Sequence, residues 1–320
     1  MKIIVTGALG HIGSRLIREL VLRFPNAEIV MIDNMMTQRF ASLFNLSPLG
    51  RYRFIDGDVK KIDLKPLLKD ADVLIHLAAI TDAAGTIDMP ELLEANNFKA
   101  TEIVAQACVE SGVRLIALSS TSVYGSQHEL VSENCDENEL NPQSPYATTK
   151  LKEERLIMNL CETRGLKAVL FRFGTIFGTS PGMRFHTAVN KFCWQAVLGV
   201  PITVWSTAYD QKRPYLDLSD AIRAIAFFIQ SDLFNGRIYN VVTKNFTVRQ
   251  IVDTVRGFVP NLKMIYVDSP IMNQLSYEVS CDRILHEGFA FSGDIQTGIG
   301  ETIALLQQAH SADYSHRQDL

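Results

Sequence analysis

The amino-acid sequence predicts an α/β protein built on a doubly wound parallel sheet, with a smaller C-terminal lobe interleaved with the end of that sheet. Three observations point there. Short apolar runs alternate with amphipathic stretches through the first half of the chain. Most of the runs are apolar throughout, as strands covered on both faces are. A glycine-spaced segment follows the first run and opens the first amphipathic stretch.

In chain order the strand-like runs are Lys2–Thr6, Glu28–Asp33, Arg53–Asp56, Val73–Leu77, Leu115–Ser119 and Ala168–Phe173. Between them Ile12–Phe24, Leu92–Ser111 and Tyr146–Arg164 repeat apolar residues at three and four positions and read as helices. After Gly178 the pattern loosens. It reads as a helix at His186–Leu198, a strand at Ile202–Trp205, a polar segment to Arg213, a helix at Ser219–Ile229, a strand at Ile238–Val242 and helices at Val248–Phe258 and Ile295–Gln308. The boundary between the two regions is soft, and the polar residues from His310 onward read as a frayed tail.

With 320 residues, 47% of them hydrophobic and 21% charged, the chain has enough apolar material for a large core. A net charge of −4 with no Lys/Arg-rich run argues against nucleic acid as a partner. The chain enters a strand pattern at Met1–Thr6 without a charged-then-apolar leader, and no apolar run approaches the roughly 20 residues of a membrane span. Cys108, Cys135, Cys161, Cys193 and Cys281 are odd in number and form no C-x-x-C pair, and the seven histidines are scattered. These features predict reduced thiols, a cytoplasmic location, no membrane partner and no metal.

Directly after the first run comes Thr6-Gly7-Ala8-Leu9-Gly10-His11-Ile12-Gly13. Glycines at these positions permit a tight turn, close approach of backbone N–H groups to a pyrophosphate and close packing of helix on strand, and a helix N-terminus favours the anion. The second strand ends at Asp33, followed by Asn34. A carboxylate there can accept from both hydroxyls of an adenosine ribose and would repel a 2′-phosphate, which favours NAD over NADP; the other reading of Asp33 is a loop cap. At the end of the third strand Asp58 and Val59 can meet the adenine amino group and ring, or Asp56-Gly57-Asp58 can be a plain turn.

Tyr146 and Lys150 lie four apart on one helical face. A nearby ammonium favours the phenolate, so such a tyrosine can exchange a proton with a substrate hydroxyl while hydrogen moves to or from a nicotinamide. Ser119-Ser120-Thr121-Ser122 stands at the carboxyl end of the fifth strand, where open α/β sheets bind ligands. A hydroxyl there can hold the same substrate oxygen, although a polar loop with local caps reads equally well for most of the four residues.

Taken together, the chain resembles the extended short-chain dehydrogenase/reductases, specifically the nucleotide-sugar epimerases and dehydratases, from Met1 to about Leu306. The likeness rests on the Thr6–Gly13 motif, Asp33, Asp58-Val59, His76-Leu77-Ala78-Ala79, Asn97-Phe98-Lys99-Ala100-Thr101, Ser120 with Tyr124, Pro145-Tyr146 with Lys150, Arg172 with Gly178, and Arg213 through Asp220. It implies a Rossmann domain over residues 1–178, with later segments returning to it, a mainly substrate-binding lobe over 179–309 and a flexible tail over 310–320. It implies Tyr146 as acid/base, Lys150 as its electrostatic partner and nicotinamide-ribose ligand, Ser120 as second donor to the substrate oxygen, and Leu77, Ala78 and Ala79 against the cofactor. Arg213, read alone a solvated charge, would pair with the substrate diphosphate. Ser122, Thr175, Arg184 and Asn190 would line the sugar pocket, while His76 reads as a core histidine bonded to backbone. A homodimer through Leu92–Ser111 and Tyr146–Arg164 is implied as well, in keeping with apolar residues that exceed one face of each helix.

The sequence also departs from the family pattern. Thr121-Ser122 stands where 4,6-dehydratases place an acidic pair, and Ser122 where sugar-acid decarboxylases place a Glu. Thr175 replaces a common Asn. Near Leu275-Ser276-Tyr277 a second diphosphate-binding arginine is missing, a role that Arg184 or Arg283 could fill. The reading is therefore an NAD-dependent nucleotide-sugar 4-epimerase that works through a 4-keto intermediate. Its rivals are a dehydratase or net oxidoreductase diverting that intermediate and a non-catalytic cofactor-binding scaffold.

Overall fold

The computed structural model describes residues 1–81, 88–125, 129–268 and 276–307; Gln308 and the predicted tail lie outside them. The chain runs β1 (Lys2–Thr6), α1 (His11–Arg23), β2 (Glu28–Asp33), β3 (Arg51–Asp56), α2 (Lys65–Leu68), β4 (Val73–His76), α3 (Pro90–Leu93), α4 (Lys99–Ser111), β5 (Arg114–Ser120), β6 (Leu130–Val131), α5 (Pro145–Arg164), β7 (Ala168–Phe173) and β8 (Thr175–Phe177). It continues through α6 (Ala188–Val197), β9 (Ile202–Trp205), β10 (Lys212–Asp217), α7 (Leu218–Gln230), β11 (Ile238–Val241), β12 (Lys244–Thr247), α8 (Val248–Phe258), β13 (Met264–Val267), β14 (Glu278–Val279), α9 (Asp282–His286) and α10 (Ile295–Leu306).

Seven parallel strands form one sheet in the order β11-β7-β5-β4-β1-β2-β3. Successive residues of a strand point to opposite faces. Thus Ile3, Val5, Ile29 and Met31 pack on Leu16, Ile17 and Leu20 of α1 and on Ala221, Ile225 and Phe228 of α7. Ile4, Val30 and Ile32 pack on the other side, with Val104 and Cys108 of α4 and Ile157 and Leu160 of α5. Each fully buried aliphatic side chain of this kind contributes about 1.5–3 kcal/mol relative to exposure. The chain order reverses between β1 and β4. That places a ligand crevice at the carboxyl ends of these two strands.

Several elements differ from the sequence reading. The edge strand β3 is not covered on both faces: Arg51, Arg53 and Asp56 are exposed, as edge strands tolerate and central ones do not. The predicted helix Leu92–Ser111 is interrupted by a π turn over Glu94–Phe98. Within that turn the Asn97 amide accepts from Ile80 N and donates to Ile80 O, both at 2.8 Å, and so fixes the loop after β4. The segment ending at Arg213, read as polar and irregular, enters β10, which pairs parallel with β8 and antiparallel with β12. Residues after Gly178 feed both regions: β11 and α7 complete the large sheet and its cover, while α6, α8 and α10 enclose a separate core of Phe192, Ile251, Val255, Ile299 and Ile303.

Candidate active site

The turn from β1 into α1 is demanding of its glycines. Gly7 has φ +64°, and a Cβ on it would lie 2.7 Å from Ala78 N and from Leu77 C; one on Gly13 would lie 2.5 Å from Gly7 O. The backbone therefore passes closely between strand ends, which only glycine allows. Gly10 caps α1 without a side-chain hydrogen bond, and the first turn holds no acidic residue. The N–H groups that open the helix are thus left for an anion.

A cleft of about 280 Å³ lies over this turn, lined by Gly7, Gly10, His11, Ile12, Gly13, Asp33, Asn34, Asp58, Val59, Leu77, Ala78 and Ala79. Every residue assigned from sequence to the cofactor, apart from Tyr146 and Lys150, meets there. Asp33 caps the loop and lines the cleft at the same time. Its carboxylate accepts from Leu9 N and Met35 N, each at 3.0 Å, while facing the cleft. Asp58 likewise accepts from Lys60 N at 2.9 Å. Arg39, six residues beyond Asp33, lines the same cleft and donates to Gly182 O at 2.9 Å. The loop before α6 is thereby tied to the loop after β2, and Gly182 N donating to Ser14 Oγ at 2.9 Å ties it to α1 as well.

A second cavity of about 320 Å³ shares His11, Ile12, Leu77, Ala78, Ala79, Thr81 and Arg184 with the first. It holds Ser120, Tyr146 and Lys150 together with Ser122, Thr175, Arg184 and Arg213. Ser120 ends β5, and its Oγ accepts from Ser122 N at 3.2 Å and lies 2.9 Å from Ser122 Oγ. Ser144 caps α5 by accepting from Ala147 N at 3.2 Å, Pro145 takes the first turn, and Tyr146 follows half-buried. The Lys150 ammonium sits 5.9 Å from the Tyr146 ring centroid. Burial pushes the Tyr146 phenol up, and Lys150 and Arg184 offset that only in part. Burial also works against the charge on Lys150, but Glu153 and Tyr146 outweigh it and hold the ammonium above its usual range.

α5 is anchored from behind. Arg172 of β7 donates to both carboxylate oxygens of Glu154, at 2.8 and 2.6 Å, with both side chains buried, and its guanidinium lies 4.7 Å from the Tyr124 ring centroid. This fork fixes the helix, and with it Tyr146, against the sheet.

Two sequence assignments do not reach the cavities. Asn190 lines neither cavity; it is fully buried, donates to Arg184 O at 3.1 Å and accepts from Gly178 N at 3.4 Å, so it holds the loop that carries Arg184. Arg283 donates to Ile238 O at 2.7 Å and Asn134 Oδ1 at 2.6 Å and lines neither cavity, whereas Arg184, the other candidate for a second diphosphate contact, lines both. Leu275 lies outside the described residues. His76 bonds a side chain rather than backbone: its Nδ1 is 2.7 Å from Thr6 Oγ1, and burial holds its pKa near about 3, so the ring is neutral. His186 lines the second cavity without having been found, since it sits far from any motif and only the fold brings it in, while Tyr277, named only beside the missing arginine, lines it as well.

The model of the NAD dependent epimerase/dehydratase family matches residues 3–241. The chain belongs to that family. It is 33% identical over 252 residues to YtcB of Bacillus subtilis, described as an uncharacterized UDP-glucose epimerase, with 75% of this chain and 76% of that one covered. It is 25% identical over 320 residues to the dTDP-D-glucose 4,6-dehydratase of Mus musculus, covering 94% of this chain and 87% of that one. The structure resembles the UDP-glucuronic acid 4-epimerase of Bacillus cereus bound to UDP-glucuronic acid and NAD, with a TM-score of 0.84, 25% identity, and 97% and 100% of the two chains covered.

Proposed function

We propose that the protein is an NAD-dependent nucleotide-sugar 4-epimerase that works through a 4-keto intermediate. One observation carries this reading over dehydration: among the described residues, no Asp or Glu lines the cavity that holds Ser120, Tyr146 and Lys150. Loss of water across C5 and C6 requires one group to take the C5 proton and another to protonate the leaving hydroxyl. Thr121 and Ser122 occupy the place next to Ser120 where such carboxylates would stand. Inversion at C4 needs only one acid/base, and Tyr146 supplies it.

The cleft over the glycine turn together with the adjoining cavity would take a dinucleotide, with the first-turn N–H groups of α1 toward the pyrophosphate and Asp33 toward the adenosine ribose in the first, and Lys150 toward the nicotinamide ribose in the second. When bound, NAD supplies the acceptor for the hydrogen that leaves C4 and returns it to the opposite face. Tyr146 takes the proton of the C4 hydroxyl and gives it back, Ser120 holds the same oxygen, and Arg213 and Arg184 offer guanidinium groups to the diphosphate or to an anionic part of the sugar. Residues 1–178 form the Rossmann domain in this reading, and 179–309 mainly the substrate lobe.

We also propose a cytoplasmic homodimer. Ile103, Ala107 and Val109 of α4 and Leu156, Met158 and Cys161 of α5 remain partly exposed beside the core, which leaves both helices an apolar flank for a second copy. The five cysteines are unpaired, as in a reducing compartment.

Incubation with a panel of UDP-, GDP-, CDP- and dTDP-sugars, read by mass and NMR, tests the activity. Unchanged mass with inverted C4 is expected; loss of water would assign a dehydratase instead.

A further inference from the structure

Lys150 does not lie alone beside Tyr146. One turn further along α5, Glu153 accepts from its Nζ at 2.8 Å, and the two residues are only 5% and 4% exposed. The other carboxylate oxygen of Glu153, Oε1, is buried without a hydrogen-bond partner among the described residues. The adjacent Glu154 already satisfies Arg172 in a two-bond fork, so Glu153 is not needed for that anchor. A buried carboxylate with one oxygen unbonded is expensive, and an apolar residue at the same helical position would cost less. Its retention points to a role for the charge.

We propose that Glu153 is a positioning residue: it holds the Lys150 ammonium back on α5 and, by cancelling part of that charge, sets the pH at which Tyr146 gives up its proton. This rests on the reading of Tyr146 as the acid/base.

The electrostatics around Tyr146 give the sign. Lys150 on the same helix and Arg184 from the loop before α6 favour the phenolate, while Glu153 opposes it. His76, at the end of β4, faces Lys150 but is neutral, and Glu154 is neutralised by Arg172. Glu153 is therefore the main anion that counters the Lys150 charge, ahead of Glu154. Replacing it with Gln keeps the shape and deletes the charge, so the phenolate becomes easier to form.

The test is an ultraviolet difference titration of tyrosinate in the NAD-loaded protein, with Tyr146→Phe subtracted so that only the Tyr146 step remains. The midpoint of that step is expected to fall by about one pH unit in Glu153→Gln, a tenfold change in phenolate fraction at fixed pH. Glu153→Asp withdraws the carboxylate by one methylene and keeps its charge, so its midpoint is expected between wild type and Glu153→Gln. This milder variant also carries the test if Glu153→Gln does not fold. Midpoints unchanged or raised, in proteins that retain NAD and native circular dichroism, would overturn the proposal. The titration needs no turnover, so a silent sugar panel would sink the functional reading and leave this result standing on its own.

Discussion

In the proposed reading Asp33 decides which dinucleotide the cleft accepts, and its geometry makes the effect of removing it calculable. The carboxylate is held at the end of β2 by Leu9 N and Met35 N, so it cannot swing away from an incoming group. A 2′-phosphate placed at the ribose position would meet it at a few ångströms. Like charges at about 4 Å repel by roughly 1 to 4 kcal/mol between bulk-water and surface-like dielectric. About 1.4 kcal/mol suffices for a tenfold preference. Arg39 works in the opposite sense, since its guanidinium lines the same cleft and interacts with Asp33. Wild-type protein is expected to bind NAD at least about ten times more tightly than NADP. Asp33→Ala removes the repulsion and leaves the Arg39 charge in the cleft unopposed, so NAD should weaken while NADP improves relative to it. Calorimetric titration of both cofactors into cofactor-free protein measures this directly. Equal affinities in wild type would show that Asp33 serves only as a loop cap and that Arg39 governs the site.

Three further outcomes follow from the same geometry. Tyr146→Phe is expected to retain NAD but lose about a hundredfold or more in turnover, the range for a lost general acid/base, as steady-state kinetics would show. Arg172→Met strands a buried carboxylate and should cost about 3–5 kcal/mol in denaturant unfolding, whereas Arg172→Met with Glu154→Leu should recover most of that loss; equal destabilisation of both variants would mean that the fork is not the anchor. Light scattering at micromolar concentration is expected to show a dimer, and Leu156→Glu on the apolar flank of α5 should shift it toward monomer.

The large sheet was legible because its central strands are apolar on both faces and its helices repeat apolar residues at three and four positions, so Lys2–Thr6, Glu28–Asp33 and Ala168–Phe173 agree with the structure to the residue. The glycine turn was legible for a different reason: glycine is demanded there by backbone contacts that no other residue survives. What sequence could not carry was burial of polar groups. Asn190 and Arg283 read as site residues because side chains that bond loops internally have the same composition as side chains that bind a ligand. Glu153 belongs to no motif and was not singled out from the sequence, although α5 turns it inward beside Lys150. The π turn at Glu94–Phe98 has no composition of its own and exists to deliver Asn97 to Ile80. Strand β10 was hidden by Lys212-Arg213-Pro214 at its start, which breaks the apolar pattern although β10 is the central strand of its three-stranded sheet.

The central claim is that hydrogen leaves C4 of the sugar and returns to the same carbon. A nucleotide sugar that the panel shows to be turned over, prepared with deuterium at C4 and incubated in ordinary water, tests it most directly. Product NMR should show the C4 epimer with deuterium still at C4 and the mass unchanged. Deuterium lost to solvent, or found at another carbon together with loss of water, would contradict the account.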